Sequence, residues 1–216
     1  ILAILPFERI KKIKIIFKES FTLKYFTSDL HFGHDNIIKY CNRPADCIDD
    51  MNSMLISNWN SVVKKSDEVF VIGDLSLQDK WMEFVTPKLN GIKTLIIGNH
   101  DTCFEKHKKF TPAKELFYKD KGWALFNNIL NFKIGNYLVN LNHFPYDDQR
   151  YPDYCLEDLG IPLLHGHTHS ANIFSKSKKN TIQIHVGVDS WNYKPISEIE
   201  LIEVLDDAII TSEQDR

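Results

Sequence analysis

Cysteine is scarce in this chain: four among 216 residues, at Cys41, Cys47, Cys103 and Cys155, and none in a C-x-x-C spacing. Thiolates therefore offer no framework for a metal site, and with no signal peptide beside them they predict reduced thiols in a cytoplasmic protein. Long apolar runs are also missing, so no segment approaches a transmembrane length and no membrane partner is expected. Neither sign of charge dominates: 26 Lys and Arg face 29 Asp and Glu, a net charge of -3. General nucleic-acid binding is not expected from that balance. The lysine clusters Lys11–Lys14 and Lys176–Lys179 read as solvated surface.

Low-complexity linkers and internal repeats are absent too, which points to one domain. With 43% hydrophobic, 25% charged and 12% aromatic residues, the composition is that of a globular chain with a substantial core. Residues 1–20, ILAILPFERIKKIKIIFKES, mix apolar and basic side chains and read as an N-terminal appendage to a domain spanning residues 21–216.

A repeated arrangement carries most of the information. Several apolar, β-prone runs each end in residues able to bind a metal. LKYFTSDLH ends in Asp29 and His31, VFVIGD in Asp74, and KTLIIGNHD in Asn99, His100 and Asp101. YLVNLNH ends in His143, and IPLLHGHTH supplies His167 and His169. Such runs read as buried strands, and side chains just past strand carboxyl ends are where an α/β sheet places its ligand site. Asp46–Val63, with Asp46 as a candidate cap, and Leu77–Leu89 carry helical spacing, whereas Thr181–Val188 and Glu198–Leu205 alternate as strands do. Strand–helix alternation followed by strands predicts two mixed sheets packed face to face, with helices outside.

Two aspartates, one asparagine and four histidines without thiolate suit Mn, Fe, Zn or Ni. Seven such residues are too many for one ion and fit two that share a carboxylate. Two divalent ions carry more charge than two aspartates cancel, so the residual positive field suits an anionic substrate such as a phosphate ester. Such ion pairs turn water into a nucleophile near neutral pH.

The order D-x-H, G-D, G-N-H-D, H, G-H-x-H resembles the calcineurin-like metallophosphoesterase superfamily. It stands here as Asp29-Leu30-His31, Gly73-Asp74, Gly98-Asn99-His100-Asp101, His143 and Gly166-His167-Thr168-His169. The resemblance implies a four-layer α/β/β/α sandwich with a dinuclear centre, Mn being the favoured metal. It further implies that Asp29, His31, Asp74 and His169 hold one ion and that Asp74, Asn99, His143 and His167 hold the other. His100 would stabilise phosphoryl oxygens or protonate the leaving group. His165 precedes the family glycine and reads as a strand-end residue.

The Asp-Arg and G-N-H-E segments of Ser/Thr protein phosphatases are missing, and YFTSDLHFGHDNIIKYCNRP and VGVDSWNYKPIS are similar to a small bacterial and phage group of predicted phosphoesterases. The expected substrate is a small phosphodiester or phosphomonoester, a nucleotide among the candidates. The alternatives are a non-catalytic scaffold of the same fold and a nuclease. Around the site, His34 reads as a substrate contact or as the cap of a helix starting at Asp35. Arg43 reads as a substrate contact or as an ion pair under the helix after Asp46. Asp101 would orient a histidine or cap the next segment. Trp191, Asn192 and Tyr193 would line the rim or pack the second sheet, and His107 and His185 read as structural or surface residues.

Overall fold

The computed structural model describes residues 22–214. The appendage expected over residues 1–20, with its lysine cluster, lies outside the described residues. Strands β1 (Lys24–Thr27), β2 (Glu68–Ile72), β3 (Ile92–Ile96) and β4 (Trp123–Phe126) run parallel, side by side in that order. The central strand β2 is buried on both faces: Val69 and Val71 enter one core, Phe70 and Ile72 the other. A doubly covered parallel strand needs apolar residues at every position, which is why VFVI is a run and not an alternation.

The second sheet has the order β5 (Asn128–Ile134), β6 (Tyr137–Asn142), β7 (Leu163–His165), β9 (Ile182–His185), β8 (Phe174–Lys176). Its β6, β7 and β9 are parallel, and its two edge strands are antiparallel to their neighbours. Phe26, Phe70, Ile72 and Ile96 of the first sheet share a core with Val139, Leu141, Leu164 and Ile184 of the second. The fold is thus the expected pair of mixed sheets with flanking helices.

Helices α1 (Asp35–Tyr40), α2 (Ile48–Val62), α3 (Asp79–Val85) and α4 (Ala113–Asp120) lie on the other face of the first sheet. Met51, Leu55 and Trp59 form the buried stripe of α2 at a spacing of four residues. Its N-cap is Cys47, which makes no side-chain cap bond, so Asp46 lies one residue too early for the capping role expected of it. Asp49 and Asp50 in the first turn complement the helix dipole instead.

One expected element is different. Glu198–Leu205, which alternates as a strand would, forms the start of helix α5 (Glu198–Gln214). Ser197 and Glu200 make a reciprocal capping box: the Ser197 N–H and hydroxyl donate to the Glu200 carboxylate, and the Glu200 N–H donates back to the hydroxyl. Leu201, Leu205 and Ala208 then fall on one buried face. The helix follows the short strand β10 (Ile196–Ser197), which pairs antiparallel with β1.

Candidate metal centre

Each motif lies just beyond a strand, and the β1–β2 pairing continues into the site. The N–H groups of Asp29 and His31 donate to the carbonyls of Gly73 and Asp74. The backbone turns abruptly there. Asp29, His31, Asp74, His167 and His169 all have left-handed φ, between 50° and 71°. Such conformations are uncommon outside glycine and collect at functional sites.

The fold brings the seven expected ligand residues together. Metal-binding atoms of Asp29, His31, Asp74 and His169 all lie within 4.8 Å of one another, and so do those of Asp74, His143 and His167. Asn99 joins the second group, its Oδ1 3.2 Å from His143 Nε2. Asp74 belongs to both groups. Its Oδ2 is buried without a hydrogen-bond partner, 3.5 Å from His31 Nε2 and 3.4 Å from His143 Nε2. An orphaned carboxylate oxygen between imidazole nitrogens is costly in the bare protein and suits a shared cation. These residues fit a pair of divalent ions.

The imidazoles are oriented by what their other nitrogens bind. His143 Nδ1 donates to the Ile72 carbonyl at 2.8 Å, leaving Nε2 to face Asp74. Burial disfavours a proton on His143, but the Asp74 charge outweighs it and raises the pKa to about 9. Burial opposes protonation of His169 as well, yet its hydrogen bond with Asp189 raises it to about 10. His167 moves down to about 4 through burial and then the His143 charge. Burial likewise lowers His31. Burial alone would raise Asp74, but the facing His143 holds it well below the carboxylate range.

Two glycines are required by close approach. A Cβ on Gly73, whose φ is +87°, would lie 2.1 Å from His143 Nδ1. One on Gly98 would lie 2.4 Å from Asp74 Oδ1. Asp101 ties these two loops together through backbone hydrogen bonds. Its carboxylate accepts from the N–H groups of Asp74, Leu75, Ser76 and Gly98. Burial and then the Asp74 charge push Asp101 up to about 7, against the Gly98 and Asp74 N–H donors and the His143 charge.

His100 is half-buried, with its N–H on Asp74 Oδ1 and its ring 5.1 Å from that of His31. His34 occupies the N-cap position of α1 but makes no cap bond; its ring lies 5.5 Å from His31 and 6.3 Å from His100. Arg43 is placed elsewhere. It is buried behind the cluster, paired with Asp189 and not with Asp46. His165 ends β7, as expected, and burial lowers it to about 3. His185 is buried, its Nε2 3.6 Å from Asp29 Oδ2, and His107 is half-buried in a turn. In the aromatic turn, Trp191 packs on the inter-sheet core and Tyr193 on the helical one.

Three residues that sequence reasoning passed over reach the histidines. Asp189 accepts from His169 Nδ1 at 3.2 Å. Asp148 Oδ2 lies 3.1 Å from His167 Nε2, and Arg150 Nη2 lies 2.7 Å from the same nitrogen. The signal available was their charge close to a motif: five and seven residues after His143 in HFPYDDQR, and within VGVDSW.

Comparison with known proteins agrees with this geometry. The calcineurin-like phosphoesterase family matches residues 25–193. An uncharacterized protein of Methanocaldococcus jannaschii is 32% identical over 189 residues, covering 84% of this chain and 90% of its own. The Gene 66 protein of Mycobacterium phage L5 is 32% identical over 201 residues, covering 84% and 93%. A solved protein of unknown function from Aquifex aeolicus shares the fold, with TM-score 0.61 and 24% identity over 85% of this chain and all of that one. The chain belongs to the calcineurin-like phosphoesterase family.

Proposed function

We propose that this phosphoesterase uses two divalent ions, Mn favoured, to hydrolyse a small phosphodiester in preference to a phosphomonoester. The observation that carries the reading is Asp74, a buried carboxylate shared by two ligand groups with one oxygen unpartnered. Asp29, His31 and His169 would complete one site; Asn99, His143 and His167 would complete the other. When bound, the ions supply Lewis acidity and a nucleophile drawn from water.

The chain's own residues do the rest. The bond from the His100 N–H to the Asp74 carboxylate and the Asp101 tie to Gly98 hold the His100 imidazole beside the first group. There it stabilises phosphoryl oxygens or gives a proton to the departing alkoxide. His34 faces the same ground and offers a second contact to the phosphoryl group. Arg150, with a side chain 67% exposed, can swing from His167 onto an anionic substrate. It fills the substrate-binding role that Arg43 cannot, because Arg43 is buried and fully engaged. A diester is favoured because a site without an inserted cap domain leaves room for a second ester substituent.

Elemental analysis of Mn-loaded protein tests the two-ion reading. Two ions per chain are expected, and Asp74→Asn should weaken both. A single tightly held ion, indifferent to that change, would overturn it. A screen of phosphomonoesters and phosphodiesters with added Mn²⁺, cyclic nucleotides included, tests the substrate class.

A further inference from the structure

Arg43 is 4% exposed, and every N–H it carries has an acceptor. Nε and Nη2 form a fork on Asp189 at 2.8 and 2.9 Å. Nη2 also reaches the Asp29 carbonyl at 2.6 Å, and Nη1 reaches the Leu30 carbonyl at 2.8 Å and Met51 Sδ at 3.7 Å. A guanidinium has five N–H donors, so none is left over.

The partners define a direction. Two of them are the backbone of Asp29 and Leu30, inside the D-x-H motif. Another, Asp189, accepts from His169 Nδ1 at 3.2 Å, where Cys41 Sγ also lies at 3.4 Å. That bond leaves His169 Nε2 facing His31 Nε2 at 3.1 Å and Asp29 Oδ1 at 3.8 Å. One buried cation therefore grips both sides of a single ligand group, across 146 positions of sequence. The second group is held differently: His143 Nδ1 donates to the Ile72 carbonyl at the end of β2 in the other sheet, and His167 meets Asp148 and the exposed Arg150.

We propose that Arg43 is a positioning residue, acting through Asp189 on His169 and directly on the Asp29-Leu30-His31 backbone, and that it supports one of the two metal sites. The inference rests on the two-ion reading above. The charged pair is planar and bidentate, so it fixes orientation as well as distance, which Lys could not do. An ion pair kept for stability alone would be replaceable by well-packed apolar residues without effect on the histidine.

The test is Mn²⁺ titration of the chelated full-length chain by calorimetry, with electron paramagnetic resonance to separate paired from single ions. Loss of an outer partner of a ligating histidine costs about 10–100-fold in affinity, so Arg43→Met and Asp189→Asn should each weaken one ion by that factor and leave the other within about twofold. At intermediate Mn²⁺ the coupled-pair signal should give way to a single-ion signal. The double variant should lose no more than the worse single one, and Arg43→Lys should recover only part of the affinity. Should Arg43→Met not fold, Asp189→Asn, which conserves side-chain volume, carries the test. Two ions in the wild type with unchanged affinity in the variants, or equal weakening of both ions, would overturn the inference alone. A wild type that binds one ion would overturn the two-ion reading and this inference with it.

Discussion

The two sheets contribute different chemistry to one place. From the first come Asp29, His31, Asp74 and Asn99, three oxygen donors and one imidazole. From the second come His143, His167 and His169, all imidazoles. Neither set makes a site alone. Asp74 of the first sheet meets His143 of the second at 3.4 Å, so the centre exists only where the sandwich closes. Metal binding should therefore report on sheet packing as directly as any spectroscopic probe of the core.

The sharpest way to break this comparison is Gly73→Ala. Its new methyl would strike the second sheet's histidine, in addition to about 1–2 kcal/mol of left-handed strain. The variant should lose the coupled ion pair and all measurable hydrolysis, with a lowered melting temperature; retention of two ions per chain would contradict the seam. Next comes His100→Asn, which belongs to the first sheet and touches no second-sheet ligand. Both ions should remain, while kcat on a substrate with a poor leaving group falls by about 10²–10⁴-fold, as for a positioned general acid. A smaller loss on a nitrophenyl ester would indicate proton donation, and equal losses oxyanion stabilisation.

A milder effect is expected on the second-sheet side. Arg150→Met removes a charge-assisted contact and should raise KM by about tenfold with kcat nearly kept. Unchanged KM across anionic substrates would remove Arg150 from the substrate side. The smallest effect is graded with pH. His143 and His169 have folded pKa values of about 9 and 10, above the ordinary 6.5. Their contribution to stability is then complete below 6.5 and is lost as pH rises through 9 to 10. Chelated protein should melt lower at pH 10 than at pH 6.5. Mn²⁺ affinity should move the opposite way over that window, because each histidine must release its proton to ligate. Calorimetric heats in buffers of different ionisation enthalpy would count those protons.

Much of this was legible because strand ends are local signals. Residues such as Asp74 and His143 announce themselves by following an apolar run, and motif order then groups them. The alternation in Glu198–Leu205 misled because Glu-Ile-Glu-Leu satisfies period two over a short window, while the deciding capping box spans Ser197 and Glu200, across its edge. Arg43 was visible as a fixed charge, but its partner lies 146 residues away and no periodicity links them. Asp148 and Arg150 sit in a loop whose path depends on Tyr146, pinned to Asn140, Ile161 and Gln183, again a tertiary matter.

The left-handed backbone at Asp29, His31, Asp74, His167 and His169 has a consequence for the protein's lifetime. Strain of this kind costs of order 1–3 kcal/mol per residue, a large share of the stability of a typical domain. Ligands that bind only the folded state repay it by mass action. Metal supply should then set how often these loops open, and a protease that samples open loops reads that frequency. In a metal-poor cell the chain would be cleared sooner than in a metal-rich one, so its abundance would follow metal availability without any regulator of its synthesis. Limited proteolysis with and without Mn²⁺ should show the first cuts moving away from these five turns when the metal is present.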